Sequence, residues 1–248
     1  MILVRKLRLA PGEDASALRA RAAKKLRLPC AEVKELTLIK RSLDARHKDD
    51  IHYVCSAALS VSGDERRVIA RVKSPDVCEY TPPEYSVARV SPGEGAPRPV
   101  IAGFGPAGMF AALVLSMAGA RPIVIERGRD ALSRKAAVDA FRAGGALDTE
   151  CNVQFGEGGA GTFSDGKLNT GTHDARLFWV LRQFYAHGAP ESVLYDAKPH
   201  IGTDILIDVV RRIRADVIAR GGEVRFSTKL ERLIIENGAL TGIEVHDA

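Results

Sequence analysis

Cysteine is scarce in this sequence. The 248 residues contain four, Cys30, Cys55, Cys78 and Cys151, with no C-x-x-C pair and no metal-ligand spacing. Their arrangement argues against a dithiol–disulfide enzyme and fits free thiols in a reducing, cytoplasmic setting. A signal peptide is also missing, because the opening "MILVRKLRLA" carries charge inside its apolar residues. No uninterrupted run spans a bilayer. Val100 to Ala120 is free of charge, but Gly103, Gly105 and Pro106 break it. The remainder, from Ala107 to Ala118, rises only ~18 Å as a helix. A buried strand, a tight turn and a buried helix fit better, with no membrane partner. Finally, "IHYVCSAALSV" lacks the aromatic stacking signature of RNA-binding sheets.

What is present is ordinary in bulk and uneven in detail. Hydrophobic residues make up 46% and charged residues 27%, as in a globular protein. Residues 1–75 hold 17 Lys and Arg against 9 Asp and Glu, although the whole chain is only +5. The basic character therefore belongs to the N-terminal part, as a solvated face or as a surface for acidic partners or nucleic acid.

Periodicity divides the chain into three parts. "ILVRKLRL", "VKELTLIKRSL" and "IHYVCSAALSV" alternate as strands, and "ERRVIARVK" reads as a fourth. "DASALRARAAKKLRL" reads as a helix opened by Asp14 or Ser16. Residues 1–75 thus form a small α+β domain. Residues 76–98 are proline-rich and read as a linker. Residues 99–248 follow as an α/β domain. There "TDILIDVVRRIRADVIARGG" is an amphipathic helix, capped by Thr203 and ended by Gly221-Gly222. "RLIIENGALTGIEV" is a hairpin turning at Asn237-Gly238.

"GFGPAG" sets Gly103, Gly105 and Gly108 in a G-x-G-x-x-G array between the strand "PVIA" and a helix. The first glycine makes the turn, the second lets a pyrophosphate approach, and the third packs helix on strand. The helix N-terminus faces the phosphates. Phe104, Pro106 and Ala107 complete the loop. Glu126 closes the next strand, where an acid takes the ribose hydroxyls. A second glycine-rich stretch, Asn152 to Gly171, has glycines at 156, 158, 159, 161, 166 and 171. Glycine packs nothing and costs entropy to order, so this density points to backbone approached from outside.

The array, extended by Ala112, Leu115, Gly119 and Glu126, resembles the FAD-binding N-terminus of the glutathione-reductase-like flavoproteins. "NVQFGEGGAGTFSDGKLNT" together with "KPHIGTD" is similar to the bacterial FAD-dependent dehydrogenases also called NAD(FAD)-utilising dehydrogenases, which carry a small α+β domain ahead of the flavin domain. The resemblance implies a Rossmann-like FAD-binding domain and a cytoplasmic FAD-dependent oxidoreductase. The flavin would be non-covalent, the substrate a small molecule, and NAD(P)H the electron donor. It also implies that Gly158, Gly159, Ala160, Gly161, Thr162, Lys167 and Leu168 lie along the pyrophosphate and flavin. Lys167 would stand near the flavin pyrimidine edge, on the phosphates or on the surface. Ser164 and Asp165 would contact the flavin or shape the turn. Arg127 and Arg134 would meet the adenosine or pyrophosphate, or line a solvated helix face. The backbone of Leu230 matches the position that meets the adenine. Cys151, His173 and His200 read as structural. The closing Gly-Asp motif of that superfamily is missing, so the chain reads as the N-terminal half of a longer protein. The alternatives are an RNA-associated flavoprotein, with the basic domain on nucleic acid, or an inactive fragment.

Overall fold

The computed structural model describes residues 1–247 except 94, 164, 165 and 169–173. It separates into two units. The first comprises residues 1–84, 168–181 and 191–199, and the second residues 85–167, 182–190 and 200–248. The chain is a mixed α/β protein, with one three-stranded parallel sheet and two antiparallel sheets.

The first unit is built on an antiparallel sheet. Its strands are β1 (Ile2–Leu9), β2 (Val33–Asp44), β3 (His52–Val61) and β4 (Val77–Glu79), in the order β2-β3-β1-β4. Strict alternation along β1 would send Leu7 and Leu9 to the solvent side. A bulge at Arg5-Lys6, with Lys6 at φ 52°, shifts the parity. Ile2, Val4, Leu7 and Leu9 therefore all enter the core. Helix α1 (Ala17–Leu26) buries Leu18, Ala22, Ala23 and Leu26 there. Ser16 stands at its N-cap without a side-chain bond, and Asp14 accepts from the Ser16 N–H.

"ERRVIARVK" is a helix and not the expected fourth strand. Helix α2 (Glu65–Val72) is capped by Asp64, whose carboxylate accepts from the Arg66 and Arg67 N–H groups. Val68, Ile69 and Val72 share one helical face against the core. The fourth strand is β4, which lies inside the proline-rich stretch. Residues 191–199 join this unit through β2. The Arg41 guanidinium makes a paired contact to Asp196, at 2.7 and 3.0 Å, and lies over the rings of Tyr53 and Tyr195, 5.1 and 5.0 Å from their centres.

The second unit holds the parallel sheet, in the order β5 (Val100–Ala102), β6 (Ile123–Ile125), β7 (Glu223–Arg225). Helix α3 (Pro106–Ala118) connects β5 to β6. Helix α4 (Ala131–Arg142) follows β6. Of helix α5 (Ala175–Ala186), only residues 182–186 belong to this unit, and there Phe184 meets Phe110 of α3 edge to face at 5.2 Å. Helix α6 (Thr203–Ala219) buries Leu206, Val209, Val210, Ile213 and Val217. Its N-cap is Gly202, so Thr203 is the first helical residue and not the cap. Its end comes at Gly221-Gly222, where the Gly222 N–H returns to the Val217 carbonyl. The chain finishes in a hairpin of β8 (Thr228–Glu236) and β9 (Ala239–Asp247), turning at Asn237-Gly238. Among the described residues, no helix is long and apolar enough to cross a membrane.

Candidate functional site

The loop from β5 to α3 begins with Gly103 at φ 94°, a left-handed turn that favours glycine. Its N–H donates to the Ile125 carbonyl at 2.7 Å, which fixes the loop over β6. Gly105 is the N-cap of α3 and Pro106 opens the first turn. Gly108 lies against the loop it follows: a Cβ there would come 2.0 Å from the Gly103 carbonyl oxygen. A Cβ on Gly105 would meet only Gly159 Cα, at an ordinary 3.8 Å.

The Glu126 carboxylate ties the two glycine loops together. It is 4% exposed. One oxygen accepts from the Phe104 N–H at 2.7 Å, and the other from the Gly128 and Gly156 N–H groups, each at 2.9 Å. Phe104 adds a second tie, because its carbonyl accepts from the Gly158 N–H at 2.9 Å while its ring is wholly buried.

The second loop is organised around Arg134, which is 0% exposed. Its guanidinium donates to the carbonyls of Asn152, Val153, Gly156, Glu157 and Gly159. Its charged carbon stands 4.7 Å from the centre of the Phe163 ring. Burial lowers its pKa from the usual arginine value, opposed by the negative groups around it. Glu157 is buried alongside. One of its oxygens accepts from the Ala131 N–H at 2.7 Å and faces Arg214 at 3.2 Å, while the other has no hydrogen-bond partner. Burial raises its pKa, and the Ala131 N–H and Arg214 oppose that shift.

Between these parts lies a cleft of about 350 Å³. Gly103 and Gly105 of the first loop, Gly159 of the second, Glu126, Arg127 and Leu230 line it. Six expected residues, drawn from four separate stretches of sequence, therefore share one cavity. Arg127 is held at its rim by an ion pair to Glu150 at 2.7 Å and by the Phe155 ring at 4.0 Å.

The other expected residues sit elsewhere. Phe104 and Arg134 are buried, and Gly108 is half-buried against the Gly103 carbonyl. Pro106 packs toward Gly159 and Gly158 toward Thr162. Ala107, Ala160 and Gly161 are exposed. The buried Thr162 hydroxyl has no hydrogen-bond partner. Lys167 is exposed, and its backbone forms an isolated bridge with His200. The Leu168 N–H donates to the Pro199 carbonyl. Cys151 is 2% exposed and packs in the interior. Ser164, Asp165 and His173 lie outside the described residues. No group of three metal-ligating side chains occurs among the described residues. Sequence reasoning did not foresee the structural use of Arg134, nor Glu157 or the Phe155–Arg127–Glu150 set. For Glu157 the signal was a charged residue placed inside a glycine run.

A family model described as a domain of unknown function (DUF8436) matches residues 1–60. An uncharacterized protein of Clostridium beijerinckii is 40% identical over 245 residues, covering 99% of this chain and 46% of its own length. The chain thus spans about half the length of that relative.

Proposed function

We propose that the second unit is a Rossmann-like dinucleotide-binding domain and that the protein is a cytoplasmic FAD-dependent oxidoreductase, or the N-terminal half of one. The observation that carries this is the space over Gly105. The second glycine of a G-x-G-x-x-G turn is there to keep side chains away from a pyrophosphate. Gly105 has extended backbone at φ −73°, and a Cβ would collide with nothing. Neither backbone strain nor packing inside the chain requires glycine at this position, whereas Gly108 is required by packing.

The residues present fit the adenosine and pyrophosphate half of FAD. The N-terminal turn of α3 offers backbone N–H groups and a positive dipole end to the phosphates. Glu126 uses three acceptor positions on backbone N–H groups. A carboxylate has about four, which leaves one for a ribose hydroxyl. Arg127 and Leu230 border the same cleft, for the adenine end. Bound FAD supplies the ring that accepts and passes on a hydride, and the protein supplies binding, orientation and electrostatics. A nicotinamide dinucleotide is the proposed electron donor and a small molecule the substrate.

The test is to purify the protein, reconstitute it with FAD and chromatograph the released cofactor. FAD at one per chain is expected. Release of FMN or NAD, or no retained cofactor, would sink the proposal.

A further inference from the structure

The hairpin β8–β9 carries an apolar face. The register places Leu230 opposite Val245, Leu233 opposite Ile243, and Ile235 opposite Leu240. Directly opposed residues share a face, so these six side chains form one continuous strip. The strip survives two register shifts, between Leu230 and Arg232 and between Ile234 and Ile235. The opposite face carries Arg232 and Glu244 as an ion pair. Toward the turn the strip is uncovered: Leu233 is 51% exposed, Ile235 62% and Leu240 62%; at the far end Val245 is 38% exposed. An isolated two-stranded hairpin is marginal in water unless an apolar face is packed against something.

We propose that this face is the seat of a covalently connected polypeptide segment, supplied by the remainder of a longer form of this chain. Two observations select that occupant over a second copy. The first is area. Nine residues rising ~3.3 Å each, in two strands ~4.8 Å apart, give a face on the order of 300 Å². A stable dimer needs about 800 Å² from each partner. A tethered segment avoids most of the association cost, because its effective concentration is in the millimolar range, so a small face suffices. The second is length. The Clostridium beijerinckii relative matches 99% of this chain with only 46% of its own length, so it has further polypeptide of comparable size available to cover its hairpin.

The test pairs the 248-residue chain with the intact relative. The chain alone should sediment as a monomer and enhance the fluorescence of an apolar-surface dye. The double variant Ile235→Lys with Leu240→Glu, which places opposite charges across the strands, should dim that fluorescence several-fold. Leu233→Thr with Val245→Thr keeps strand-forming residues and should act in the same direction with an unchanged circular dichroism spectrum. In the intact relative, amides matching residues 233–243 should exchange at least tenfold more slowly than in this chain. A dimer of the chain that the charged variant dissolves would assign the face to a second copy and overturn the proposal. Equal exchange in the two proteins would overturn it too, since the face would then simply be solvated.

Discussion

In the loop from Gly103 to Gly108, a Cβ on Gly105 would find Gly159 Cα 3.8 Å away and nothing nearer. In the loop from Gly156 to Gly161, a Cβ on Gly156 would press to 2.4 Å from Arg134 Cδ, and one on Gly158 to 2.1 Å from the Thr162 hydroxyl. The two stretches look alike in sequence but answer to different causes. The first loop is held mainly by its backbone and keeps one position clear of side chains without internal need. The second wraps around a buried guanidinium, and most of its glycines make room for the protein's own atoms. Glycine density alone therefore does not mark a ligand. The useful distinction is whether the space a glycine leaves is filled from inside the fold.

The sharpest way to break this comparison is to remove the guanidinium. Arg134→Met removes a donor from five backbone carbonyls. Those of Gly156 and Gly159 keep the Gly159 and Thr162 N–H groups, and those of Asn152, Val153 and Glu157 lose the guanidinium without a second backbone donor among the described residues. Each unsatisfied buried group costs ~1–3 kcal/mol, so the loss should be at least about 3 kcal/mol by denaturant unfolding. Arg134→Lys should recover little, because an ammonium has three donors and no planar fork. A loss under about 1 kcal/mol for the methionine variant would show that the second loop is not built on this residue.

The next effects separate the roles of the two loops. Gly108→Ala forces a Cβ toward the Gly103 carbonyl and should cost ~1–3 kcal/mol, as overpacking does. Gly105→Ala should change stability by less than about 1 kcal/mol, the scale of an altered N-cap. It should nonetheless weaken FAD binding at least tenfold, measured by flavin fluorescence titration. Equal affinity in Gly105→Ala and the parent would mean that the open space serves no pyrophosphate. Glu126→Gln should cost ~1–3 kcal/mol, because in either amide orientation the nitrogen faces backbone N–H groups it cannot accept from, that of Phe104 or those of Gly128 and Gly156.

Much of the fold was legible because its signals are local. The alternation of β2 and β3, the Asn237-Gly238 turn and the apolar stripe of α6 each depend on neighbours within one element. Helix α2 reads as a strand because Val68, Ile69 and Val72 are β-branched and fit a short strand as well, and its cap, Asp64, lies just outside the apolar stretch. Lys6 at positive φ gave no warning, since the bulge exists only to bring Leu7 and Leu9 inward. At the candidate site, Gly103, Gly105 and Glu126 were legible from spacing. Arg134 was not: on a helix with polar neighbours it resembles a surface arginine, and its burial depends on carbonyls 18 to 25 residues later in the chain. Lys167 drew attention because of the glycines before it, yet it does not line the cleft.

The smallest effect tests the interior of the second loop by pH. Burial raises the pKa of Glu157 above the ordinary glutamate value, with the Ala131 N–H and Arg214 pulling the other way. The folded protein therefore holds a proton on this group at pH values where the unfolded chain has lost it. That contribution to stability is fully present below the unfolded glutamate pKa, ~4.3. It declines as pH rises toward the raised folded value, and beyond that value the loss is constant. Urea unfolding of the parent and of Glu157→Gln at a series of pH values isolates the contribution, because the other carboxylates cancel in the difference. Relative to the variant, the parent should lose stability as pH rises from ~4.3. A difference independent of pH would mean that Glu157 titrates as in the unfolded chain. A difference that grows in the parent's favour would mean that Arg214, at 3.2 Å, outweighs burial and that this loop is held by the charge pair as well as by Arg134.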